Sequence, residues 1–286
     1  MKRTNNLMGI ALCGAALLAT TAIADHHEKP KLTKVWESEA TLKVPEGVRY
    51  DAAGKVLYVS NIDGEPWADD KKGSIGKVGL DGKVIDAEWV TGLSCPKGLV
   101  LSEDGKWLYA ADAGGIVVID VKAGKIAKKI AIPEGQQLND LTSDGKGTLY
   151  VSDSKGKKVF AVKDDKATVH LDETVLKGPN GLLVHDGKLY VLDNNALNVV
   201  NPDKTLKVIV DGMPGGVDGL EHVKGDDFLV SVWSGAVWYV SGNSKELLFD
   251  GKAADTKTAD IGWDKASKTV YVPTFFKNTI VAFKVD

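Results

Sequence analysis

The chain has 286 residues, 43% hydrophobic and 26% charged, a globular balance that allows one large all-β domain or two smaller ones. Its formal charge is −3 with no basic block, so nucleic acid and anionic membrane surfaces are poor partners. It carries 2 cysteines, Cys13 and Cys95, too few for a disulfide framework.

The chain begins with Lys2 and Arg3 ahead of an apolar run from Leu7 that closes on "TAIA", with Ala22 and Ala24 spaced as an A-x-A cleavage site. These features predict a signal peptide over 1–24, cut after Ala24, and a periplasmic or secreted protein. Thr and Gly dilute the run and no second span follows, so the mature chain is expected to have no membrane span. It keeps Cys95, which beside Pro96 is expected to be a small buried hydrophobe.

Next comes "LTKVWESE" from Leu32, strand-like but without partners nearby in sequence. Six blocks of one plan follow: "PEGVRYDAAGKVLYVSN" from Pro45, "PKGLVLSEDGKWLYAAD" from Pro96, "LNDLTSDGKGTLYVSD" from Leu138, "PNGLLVHDGKLYVLD" from Pro179, "VDGLEHVKGDDFLVSVW" from Val217 and "ADIGWDKASKTVYVPT" from Ala259. Each pairs a short apolar strand, a turn rich in Asp, Gly and Lys, and a second strand. The second residue of each block is Glu46, Lys97, Asn139, Asn180, Asp218 and, in the last, Ala259 followed by Asp260; the steps are 51, 42, 41, 38 and 41 residues. A period near 40 with several strands per unit predicts propeller blades. The expectation is all-β, a single six-bladed β-propeller over 25–286. The last block ends one strand short, so the segment from Leu32 is expected to complete the last blade and close the ring.

In a propeller the first strand of each blade lines the channel, so the six aligned residues are expected to ring its mouth. Glu46, Asn139, Asn180 and Asp218 offer hard oxygen donors, suited to a divalent cation such as calcium, magnesium or manganese rather than to a thiolate-loving metal. The same residue types also cap turns through their own backbone, and both readings stand at this level. Asp112, Asp153 and Asp193, at the ends of second strands, are expected to cap turns joining the second and third strands. Lys97 brings a cation to the same mouth, either toward substrate or paired with Glu46. The first step is longest because of the loop after Asn61, where Trp67 among Asp63, Glu65, Asp69 and Asp70 forms either a wall over the site or a solvated acidic loop. His170, His185 and His222 have no ligand spacing and are expected on strand surfaces or in the core.

The ordered set "PEG", "LND", "GPNGL" and "VDGL" resembles the gluconolactonase, senescence-marker-protein and luciferin-regenerating-enzyme family of six-bladed propellers over the whole mature chain. The resemblance implies a divalent cation in the channel, often calcium or zinc, held by Glu46, Asn180 and Asp218, with Asn139 near metal or substrate and Asp218 as the acid or base. It implies hydrolysis of a lactone or similar small ester, with Asn139 a candidate substrate contact; Lys97, a departure from the sugar-lactonase pattern, Trp67 and Asp260 are further candidates from their own places near the mouth. Gln137 stands where the family's sugar lactonases carry a substrate-binding Arg, which puts a sugar lactone in question. No G-x-S-x-G elbow, phosphate loop, H-E-x-x-H or C-x-x-C-H offers another chemistry. The alternative is a non-catalytic propeller with a structural cation that binds a small ligand or a protein partner.

Overall fold

A computed structural model describes Met1 and residues 29–286; the expected signal peptide and its cut lie outside the described residues. The described chain forms six antiparallel four-stranded sheets in a ring. Five blades use four consecutive strands, running from the channel outward. Blade six takes Gly262–Asp264, Thr269–Pro273 and Ile280–Val285, and its outer strand is the N-terminal segment Leu32–Glu37. Leu32 lies opposite Val285 and Glu37 opposite Val281, with a register shift between Lys34 and Trp36. The segment without a sequence neighbour therefore closes the ring, as expected. Among the described residues no helix is long and apolar enough to cross a membrane.

The blades form where they do because second and third strands bury both faces. "VLYVSN" at Val56–Asn61 is buried at every position, as a sheet packed between two others must be. Each interblade space fills with side chains from both neighbours. Val100, Ile116 and Val118 of blade two, for example, pack against Leu141, Val151 and Phe160 of blade three. Outer strands alternate less cleanly and carry the exposed lysines, as at Lys125–Ala131. The turn between first and second strands is an Asx turn in blades one, two, three and six; in blade one Asp51 Oδ1 accepts the Ala53 and Gly54 amides at 3.0 and 2.8 Å.

The feature that positions the site is a repeated irregularity at the channel end of the inner strands. In blades one, three and five the register slips between Pro45 and Gly47, between Leu138 and Leu141, and between Val217 and Leu220. Such a bulge re-aims a side chain at the cost of a ladder hydrogen bond. Here a serine on the second strand replaces the missing partner. Ser60, Ser152 and Ser231 accept the amides of Gly47, Asp140 and Gly219 at 2.7, 2.9 and 2.7 Å. The neighbouring residues Glu46, Asn139 and Asp218 are thereby placed at the channel mouth.

Candidate metal and substrate site

Inner strands of adjacent blades meet closely enough to hydrogen-bond across the ring. Gly98 donates its amide to Asn139 O at 3.1 Å, and Asp260 donates to Glu46 O at 2.8 Å. This approach explains the glycine that follows most ring residues. A Cβ on Gly47 would stand 2.8 Å from Lys97 O, and one on Gly181 would strike Asp218 O. The ring residues are thus held by a backbone that tolerates little movement.

Glu46, Lys97, Asn139 and Asp218 are buried, and Asn180 is partly exposed. Asn180 donates Nδ2 to Asp218 Oδ1 at 3.0 Å, which brings two of the expected cation ligands together. Asn139 donates Nδ2 to Ser154 Oγ at 3.2 Å, and that hydroxyl donates to Pro179 O at 2.8 Å. Glu46 presents Oε1 to Lys97 Nζ at 4.0 Å, while its buried Oε2 has no hydrogen-bond partner. A buried carboxylate oxygen without a partner is costly unless a proton or a cation meets it. Burial pushes the Glu46 carboxyl up to about 7, although the Lys97 ammonium pulls the other way. Burial, and then the Glu46 charge, also raises Asp218 above the usual carboxylate range.

The residues present fit a hard divalent cation in donor chemistry: two carboxylates and two amides at one mouth, with one carboxylate oxygen unpaired. Among the described residues, no three His, Cys, Asp or Glu side chains form a metal-holding group by themselves. Asn180 and Asn139 would therefore have to complete any such site.

Lys97 takes the paired position rather than the free one. Its Nζ lies beside Glu46 and 4.2 Å from the centroid of the Trp67 ring. Trp67 is half-exposed and covers this sector as a wall. The acidic residues of its loop turn elsewhere: Asp63 pairs with Lys43 at 3.0 Å, and Asp69 meets Lys71 and the Ser94 hydroxyl, each at 2.5 Å. Asp260 lies one layer below the ring, not in it. Its neighbour Ala259 holds the ring place, packed with Ile62, Cys95 and Phe275. Cys95 is buried in that cluster, and burial pushes its thiol up to about 11, so it is a packed hydrophobe.

The second-strand aspartates are caps, but of a different turn. Asp112 accepts the Ser94 and Cys95 amides, and Asp193 accepts those of Lys177 and Gly178, at 2.7–3.2 Å. They brace the segment entering each inner strand. Only Asp153 also reaches forward, to the Gly156 amide at 2.9 Å.

Three features were not found from sequence. Asp140 fills the glycine place in blade three. It accepts the amides of Leu141 and Leu182, both at 2.6 Å, and so bridges two blades; burial pushes its carboxyl up to about 7. The substitution of Asp for Gly in "LND" was the available signal. Below it lies a cavity of about 480 Å³, lined by Asp140, Asp260, Glu221 and Arg49 among others. Arg49 Nη1 reaches across to Glu221 Oε1 at 3.6 Å. Farther along the inner strands His185 stacks on His222 with ring centroids 3.5 Å apart.

No protein-family model and no curated protein sequence matches the chain. Solved structures do. A protein assigned provisionally as a gluconolactonase is 16% identical, with a TM-score of 0.67, 91% of this chain and 93% of that one being covered. A luciferin-regenerating enzyme is 13% identical with a TM-score of 0.63, over 90% of this chain and 97% of that one. A catalytically inactive variant of virginiamycin B lyase from Staphylococcus aureus, with quinupristin, is 15% identical with a TM-score of 0.63, over 90% and 100%. At these identities the likeness is one of fold. The chain is a six-bladed β-propeller of the architecture shared by gluconolactonase-like and luciferin-regenerating-enzyme propellers.

Proposed function

We propose that the protein is an exported, cation-dependent hydrolase of a lactone or similar small ester, working at the channel mouth. One observation carries the reading: Glu46, Asn139, Asn180 and Asp218, from four different blades, converge at one mouth, with a buried Glu46 oxygen left unpaired. The shared fold with a gluconolactonase-like protein and a luciferin-regenerating enzyme supports it.

Glu46, Asn180 and Asp218, with Asn139 beside them, would hold the cation; calcium suits the oxygen donors best. Once bound, the cation would polarise the ester carbonyl and acidify water. The protein's own part is proton handling and positioning. Asp218, raised by burial, accepts a proton from the attacking water as the water oxygen bonds to the carbonyl carbon. The ring C–O bond then breaks, and Asp218 returns the proton to the leaving alkoxide, giving a hydroxy acid. Asn180, bonded to Asp218 Oδ1, fixes the orientation of that carboxylate through the cycle. No covalent nucleophile is required.

The test is a panel of lactones and esters on purified mature protein, chelated and then resupplied with Ca²⁺, Mg²⁺, Mn²⁺ or Zn²⁺. Turnover abolished both by chelation and by Asp218→Asn is the expected result. Cation binding with no turnover across the panel would leave the non-catalytic propeller as the better reading.

A further inference from the structure

Five of the six ring places carry an oxygen donor or an apolar side chain, and the sixth carries Lys97. Its burial is unusual, at 2% exposed, for a residue type that is almost never fully buried unless paired. The pairing is incomplete on both sides. Lys97 Nζ stands 4.0 Å from Glu46 Oε1, beyond a hydrogen bond, and Glu46 Oε2 has no partner at all. Trp67, 4.2 Å away, covers the ammonium with its ring face, and the Asp218 carboxylate lies near enough to feel its charge. Trp67 itself is 39% exposed and stands on the long loop between Asn61 and Gly73.

A cation on Glu46 would compete with this arrangement. It would satisfy the unpaired oxygen and remove the charge that holds Lys97 in place. It would also put a double positive charge within a few ångströms of a buried ammonium, where repulsion is weakly screened. The lysine has a flexible stem and one half-exposed cover, so outward movement is the cheapest relief.

We propose that Lys97 is the resident counter-cation of the ring, and that a divalent cation on Glu46 displaces its ammonium and the Trp67 ring above it. The inference rests on the cation site proposed above. It adds that the lysine weakens cation affinity, and that cation binding uncovers the mouth over the Glu46 sector. The sequence of events is cation first, then opening, then substrate.

The experiment titrates Ca²⁺ into chelated wild-type protein and the Lys97→Met and Lys97→Gln variants, following heat of binding and tryptophan emission, with Trp67→Phe as the emission control. Both lysine variants should bind Ca²⁺ at least about tenfold more tightly than wild type, as expected when a like charge a few ångströms away is removed. Wild type should show an emission change on Ca²⁺ addition that is absent in Trp67→Phe and reduced in Lys97→Met. Thermal melts separate this role from a merely structural one. Chelated Lys97→Met should melt lower than chelated wild type, whereas with saturating Ca²⁺ it should melt as high or higher. Equal Ca²⁺ affinity in all three proteins, or emission that ignores Ca²⁺, overturns the lysine inference alone. No Ca²⁺ binding by wild type or either variant overturns the site itself.

Discussion

Asp140 sits where Gly47, Gly98, Gly181 and Gly219 sit in four other blades, and this exchange changes what the position does. In those blades it is a place of close approach; in blade three the carboxylate spans to blade four and accepts the Leu141 and Leu182 amides. Gly98 is the counterpart that makes room, since a Cβ there would collide with the Asp140 side chain. Replacing Asp140 with Ala leaves two buried amides without acceptors, at about 1–3 kcal/mol each. Urea unfolding of Asp140→Ala should therefore show a loss of roughly 2–6 kcal/mol, and Asp140→Asn, which keeps one acceptor oxygen, a smaller one. A midpoint unchanged in the Ala variant would mean that water replaces the carboxylate fully. The same reasoning separates Asp140 from Asp260, which fills the equivalent place in blade six, on the opposite side of the channel. Asp260 donates its amide to Glu46 O and lines the cavity instead of tying two blades through its side chain.

At the scale of the element, the N-terminal strand carries more than its six residues suggest. It covers the edge of Ile280–Val285 and anchors blade six to blade one, because Trp36 donates Nε1 to Leu80 O at 2.8 Å and packs against Tyr271 with centroids 5.8 Å apart. Deleting Leu32–Glu39 removes the ladder and the indole and opens a flat edge. Losing a packed Trp alone costs about 3–5 kcal/mol, so calorimetry should show the melting temperature falling by roughly 10 °C or more. A truncated chain that melts with the intact one would show that the ring closes without this clasp. The closure was legible in the sequence because it follows from counting: a last block one strand short and a first strand without a block. The ring places were legible too, through the repeat period. The bulges were not, since a register slip leaves no mark on the alternation of residues; only Ser60, Ser152 and Ser231, each in its second strand, hinted at it. Nor was Arg49 with Glu221 legible, because blades one and five meet only through the closed ring. The loop bearing Trp67 has no period at all, so its choice between wall and solvated loop needed the structure.

Over the whole molecule the charge is close to balanced, but the channel is not. Glu46, Asp140, Asp218, Glu221 and Asp260 lie along its length, with Lys97 and Arg49 as the facing cations. Burial pushes Glu46, Asp140 and Glu221 up to about 7 and raises Asp218 and Asp260. Neighbouring carboxylates press Asp140, Asp218 and Asp260 further in the same direction. The folded protein thus holds these protons more tightly than the unfolded chain, whose carboxyls titrate near 4. Their contribution to stability is full at low pH, declines as pH rises through about 7, and is lost above it. A divalent cation held at the proposed site would bind the ionised ring and reverse this trend, because its affinity would grow over the same window as protons leave. Thermal melts between pH 5 and pH 8 should therefore diverge. With chelator the melting temperature should fall as pH rises. With saturating Ca²⁺ it should hold or climb, and the gap should widen up to about pH 7 and then level. Parallel curves would mean that the channel carboxylates are neutralised by Lys97, Arg49 and hydrogen bonds alone, and the ring would then have no electrostatic need of a cation.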